Sequence, residues 1–150
     1  RSNVLLRFCL LALGISAIGI GASMMLLGPD ATGRFFAGIV ELVLQNNIEL
    51  TGFTSADVDS ELRFYAVFWI AYGVILVRTS RSSDLTTRTV PILVGLFFTG
   101  GVGRLLSFLS VGQPHTLFIA LMIVELVLPV LMIILWQLGR RKAEASEKAV

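Results

Sequence analysis

The chain has 150 residues with a formal net charge of +2; 55% of them are hydrophobic, 15% are charged, and ten are Phe. Soluble domains hold roughly a quarter charged residues, so this composition, with a mean hydropathy of +0.85, excludes an ordinary soluble domain and points to a membrane protein. The few basic residues fall in short clusters at the ends of apolar runs, which excludes a nucleic-acid-binding face. With one Cys and one His, Cys9 and His115, the monomer can form no internal disulfide, CxxC pair or Cys/His zinc site, and no cofactor is implied.

A membrane-crossing helix needs about 20 mostly apolar residues. Four segments meet that need. The first, Phe8 to Leu27, has no charge and ends at Gly28-Pro29-Asp30, because proline cannot continue a helix and the carboxylate requires water. It lacks a small-residue cleavage pattern, so it reads as a retained helix. The second, Leu62 to Val77, is short and extends into the acidic stretch before it. The third, Val90 to Leu109, has Pro91 in its first turn, where a missing N–H is harmless. The fourth runs from Thr116 to Leu138.

Between the first two spans, residues 31–60 include Phe35, Phe36, Ile39, Val40, Leu42, Val43 and Leu44, interrupted by Arg34 and Glu41. That run is too apolar for a free loop and too charged to cross, so it reads as an interfacial or re-entrant segment. The expected fold is all-α: a polytopic four-transmembrane-helix bundle over residues 1–139, with a basic, polar tail at 140–150 that reads as a frayed helix end or disordered. Arg1 and Arg7, then Arg78, Arg81 and Arg88, then Arg140, Arg141, Lys142 and Lys148 collect on one side. The positive-inside rule makes that side, with both termini, cytoplasmic in an inner membrane.

Helices in lipid associate through small residues that let backbones approach. Gly95, Thr99, Gly103 and Ser107 form such a stripe on the third span, and Ala12, Ser16, Ala17 and Gly21 a looser one on the first. Both are expected to face other helices, with a homodimer seam as the alternative.

Two charges interrupt the apolar runs. Arg104 lies about 7 Å below the end of the third span and Glu125 about 13 Å into the fourth, at 1.5 Å per residue. A lone charge at that depth costs several kcal/mol, so the two are expected to face inward and pair. Pro129 removes the hydrogen bond to the carbonyl of Glu125, leaving an acceptor that Arg104 could also serve. On the second span Glu61, Tyr65, Phe68, Trp69 and Tyr72 share a face, with Asp59 and Arg63 at its mouth. Gly112-Gln113-Pro114-His115 caps the neighbouring hairpin. Together these residues predict an outward-opening, aromatic-lined pocket formed by Arg104, Glu125, Glu61, Arg63, Tyr65, Trp69, Tyr72 and His115. Without a partner nearby in sequence, His115 reads first as a solvated turn residue. The tyrosines and tryptophan have an alternative as interfacial anchors, and the Arg104–Glu125 pair as a register-fixing contact.

The segments Glu61-Leu-Arg-Phe-Tyr-Ala-Val-Phe-Trp-Ile-Ala-Tyr-Gly73, Gly101-Val-Gly-Arg-Leu-Leu-Ser107, Gly112-Gln-Pro-His115 and Glu125-Leu-Val-Leu-Pro129 resemble a bacterial family of small four-helix membrane proteins, the domain of unknown function DUF4345. The resemblance covers nearly the whole chain apart from the tail. It implies the four-helix fold and weight on Arg63, Arg104, Glu125 and Pro129, and it brings no activity.

No catalytic triad order, phosphate loop or metal-ligand spacing occurs. The expected function is a binding or accessory protein, non-enzymatic, holding a lipid, quinone or other amphiphile or docking on a larger membrane complex. Its expected partners are membrane lipids, such a ligand, and a membrane protein or second copy, with no nucleic acid. The alternative is an intramembrane isomerase or lipid-modifying enzyme using a buried Glu with Arg104. A transporter ranks below both, because four spans with one buried pair show no inverted repeat.

Overall fold

The computed structural model describes residues 2–44, 50, 52–85 and 87–147. They form five helices: α1 (Ser2–Leu26), α2 (Pro29–Leu44), α3 (Ala56–Ser80), α4 (Thr89–Val111) and α5 (Thr116–Glu147). Four of these, Val4–Leu26, Ala56–Ser80, Thr89–Val111 and Thr116–Ser146, are long and apolar enough to cross a membrane. The protein is an all-α membrane protein, and each predicted span matches one helix. The second begins earlier than its apolar run, because Asp57 and Asp59 occupy the first turn of α3, where carboxylates suit the positive end of the helix dipole.

The bundle consists of two antiparallel pairs, α1 with α3 and α4 with α5, joined through α1 and α5. Small residues set the first pair. A Cβ on Gly73 would stand 2.6 Å from the carbonyl oxygen of Gly14, and one on Gly21 would stand 2.9 Å from that of Ala66. Arginines tie both ends of this pair. Arg7 Nη1 donates to the Ser80 carbonyl at 2.6 Å, and Arg63 Nη1 to the Met25 carbonyl at 2.6 Å. Each caps a carbonyl that helix termination leaves without an intrahelical donor.

The main core lies at the basic end, where Arg7, Arg78, Arg81 and Arg88 gather. Leu6 and Leu10 of α1, Leu76 of α3, Leu85, Val90, Leu93 and Val94 around the start of α4, and Met132 and Leu135 of α5 are buried together there. At the opposite, acidic end the helices are held differently. Gly28, at φ 94°, turns the chain from α1 into α2, a conformation that glycine adopts without strain. Pro29 then opens α2, while Thr32 Oγ1 donates to the Gly28 carbonyl and meets Ser23 Oγ, both at 2.8 Å.

α2 accounts for the apolar part of the long connection. Its 16 residues reach about 24 Å, short of a crossing. One face packs through Phe36, Ala37 and Val40 on Leu50, Phe53, Leu117, Phe118 and Leu121. The other leaves Phe35, Ile39, Leu42 and Val43 exposed, as an amphipathic helix at a membrane interface would. Predicted segment residues 45–49 and 51 lie outside the described residues.

Of the predicted tail, residues 140–147 continue α5 as helix, supported by an Arg140–Glu144 ion pair at 2.8 Å one helical turn apart and by Arg140 lying over the Trp136 ring, and residues 148–150 lie outside the described residues. One expectation is corrected. The stripe on α4 does not pack inside the monomer. Gly95, Thr99, Gly103 and Ser107 are exposed, and a Cβ on Gly95 or Gly103 would meet nothing within 4 Å. Gly101 makes the close contact instead, its Cβ position 2.9 Å from Glu125 Cβ. On α1 the contact runs through Gly14, Ala17 and Gly21, while Ala12 and Ser16 face outward.

Candidate functional site

α3 and α4 touch little along their length. The contact lies towards the basic end, where the Tyr72 hydroxyl donates to the Leu93 carbonyl at 2.8 Å. Towards the acidic end the two helices leave a cleft of about 610 Å³, within the range of small-molecule sites. Leu62, Tyr65, Phe68, Trp69 and Tyr72 line one wall, spaced to share a helical face about 15 Å long. α4 supplies the other wall through Leu96, Phe97, Gly100, Gly103, Arg104 and Ser107, and Glu125 of α5 closes the back. Gly100 and Gly103 create the space by lacking side chains.

The two deep charges meet at that wall. Arg104 Nε donates to Glu125 Oε2 at 2.7 Å. The Glu125 side chain is 5% exposed and that of Arg104 is 32% exposed. Close approach of α5 at Gly101 puts the carboxylate within reach, and Phe118, two turns before Glu125, lies under the guanidinium at 5.6 Å. Arg104 bonds the side chain and not the backbone carbonyl of Glu125, so it is not the donor that Pro129 leaves wanting. α5 runs unbroken through Pro129.

The pairing uses only part of the guanidinium. Arg104 Nη1 and Nη2 donate to no described residue, and neither do the Trp69 indole, the Tyr65 hydroxyl or the Ser107 hydroxyl. The cleft therefore holds several donors with no acceptor among the described residues, beside Glu125 Oε1, which likewise has no donor among them.

Of the eight predicted site residues, Tyr65, Trp69, Tyr72, Arg104 and Glu125 line the cleft, and Glu61, Arg63 and His115 do not. Glu61 is exposed on α3. Arg63 is held away by Asp59, with Nε to Oδ2 at 2.7 Å, and by the end of α1. His115 is not a solvated turn residue, for it is 7% exposed. Its Nδ1 accepts the Leu117 N–H at 3.1 Å and its Nε2 meets Glu41 Oε1 at 3.1 Å. With Nδ1 accepting, the ring proton sits on Nε2, and the imidazole both caps α5 and fastens α2 to it. Sequence reasoning missed Leu96, Phe97, Gly100 and Phe118. The signal for Gly100 was present in the run Gly100-Gly101-Val102-Gly103, where one glycine serves packing and its neighbours serve space.

The family model for DUF4345, a domain of unknown function, matches residues 5–136. The chain belongs to the DUF4345 family. The matched region includes every cleft residue of this DUF4345 protein and stops before the last turns of α5. Neither the curated proteins nor the solved structures contain a match.

Proposed function

We propose that this DUF4345 protein is a non-enzymatic binding or accessory protein of the bacterial inner membrane, with both termini cytoplasmic, that holds an amphiphile in the cleft between α3 and α4. The observation that carries the reading is a charge pair between two helices of membrane-crossing length, whose arginine keeps four N–H donors without an acceptor among the described residues beside an aromatic-lined opening. Those donors are accessible from the opening, the Arg104 side chain being 32% exposed while that of Glu125 is 5% exposed, so an entering polar head can reach them without breaking the pair. An amphiphile entering sideways from the lipid would place its tail among Leu62, Phe68 and Leu96 and its polar head at Arg104. Orientation follows from the basic end, because cytoplasmic loops gather Lys and Arg.

Gentle extraction from native membranes, followed by mass analysis of what co-purifies with wild type, Arg104→Ala and Glu125→Gln, tests this reading. A defined small molecule or lipid bound to wild type and depleted in both variants is the expected result. Equal recovery of that species with all three proteins would remove the cleft as its site.

A further inference from the structure

If the cleft binds an amphiphile, its chemistry also selects the head. We propose that the ligand is a neutral amphiphile whose head is a flat, carbonyl-bearing ring of the quinone class, an inference that rests on the binding role above.

Charge comes first. Arg104 and Glu125 already neutralise each other, and a Cβ on Gly100 would lie 4.0 Å from Glu125 Oε2. A phosphate or carboxylate beside Gly100 would face that carboxylate in a medium that screens it poorly. A carbonyl oxygen brings no net charge. The groups at Arg104, Trp69, Tyr65 and Ser107 that have no acceptor among the described residues can each donate to a carbonyl oxygen; they select a head that accepts, and the charge balance selects a neutral one.

Depth and shape complete the argument. Arg104 lies seven residues before the last residue of α4, Val111, so about 10 Å inside the helix end. A phospholipid head would have to leave the polar layer to reach it, whereas a neutral ring resides at that level at little cost. The cleft is open, with Tyr65, Phe68 and Trp69 on its α3 side and the bare backbone of Gly100 and Gly103 on its α4 side, which gives a planar ring the stacked or edge-on aromatic neighbours that it prefers.

The test uses the fluorescence of Trp69 in a Trp136→Phe background, the protein having two Trp. The full chain is placed in phosphatidylcholine nanodiscs and titrated with a decyl-tailed 1,4-benzoquinone, or reconstituted with brominated phosphatidylglycerol. Saturable quenching by the quinone is expected, weakened about tenfold or more by Arg104→Gln, as loss of a charge-assisted hydrogen bond predicts. Gly103→Leu, which places a side chain in the cleft without removing either charge, should weaken it likewise, and brominated phosphatidylglycerol should not saturate. Saturation by that lipid and not by the quinone would overturn the neutral head while keeping the cleft as a binding site. Saturable quenching by the quinone that neither variant weakens would place its site elsewhere and overturn the inference. Absence of saturation by either probe would overturn both readings. Native mass spectrometry of the unsubstituted protein with the same quinone replaces the titration if Trp136→Phe does not fold.

Discussion

Arg104 and Glu125 lie 21 residues apart in sequence and 2.7 Å apart in space, and their energetics are those of a half-open pair. Truncating Arg104 to Ala strands a carboxylate whose side chain is 5% exposed. The loss for a fully buried pair, about 3–5 kcal/mol, is reduced here by the exposure of the arginine, and about 2 kcal/mol of stability in detergent is expected. The double variant Arg104→Ala with Glu125→Leu should recover much of it, because no charge is then left unpaired. Additive losses in that cycle, measured by denaturant unfolding, would show that the two side chains do not depend on each other. The pair was legible in the sequence because each residue interrupts an apolar run at a similar depth. His115 was not, since its partner Glu41 is 74 residues away and no periodicity connects the two. Replacing His115 by Ala removes a helix cap and the tie to α2, with an expected cost of about 1 kcal/mol. The change should appear as faster amide exchange in α2 and the first turn of α5, and unchanged exchange there would deny the tie.

The helices themselves could be read from apolar runs, whereas the faces that they turn to one another could not. Spacing placed Gly95, Thr99, Gly103 and Ser107 on one stripe, but spacing says only which residues share a face, and this face meets open space. Gly14, Gly73 and Gly101 hold the close contacts because a partner backbone happens to cross there. Two glycine substitutions should therefore behave oppositely. Gly73→Val would drive its side chain into the Gly14 carbonyl and Ile18 Cγ1, 2.6 and 2.7 Å from the Cβ position, and is expected to cost about 1–3 kcal/mol. A Cβ on Gly103 meets nothing within 4 Å, so Gly103→Leu extends into the open cleft and should leave stability within about 0.5 kcal/mol. Thermal denaturation of both variants in one detergent checks the order, and a larger loss for Gly103→Leu would contradict the packing described.

As a whole, the molecule is closed at its basic end by a leucine-rich core and open towards its acidic end, where α3 and α4 part. The proposed orientation can be read with a membrane-impermeant maleimide in a Cys9→Ser background. A cysteine at Gln113 should label in intact cells stripped of their outer membrane, and one at Ser83 only after permeabilisation; the reverse pattern would invert the topology. The cleft as a binding site is the central claim, and the steric variant addresses it most directly because it spares both charges. Native mass spectrometry of wild type and Gly103→Leu, extracted from the same membranes, is that measurement. A defined bound amphiphile present on wild type and absent from a folded Gly103→Leu is the predicted result, and the same species retained at equal occupancy by the filled variant would contradict it.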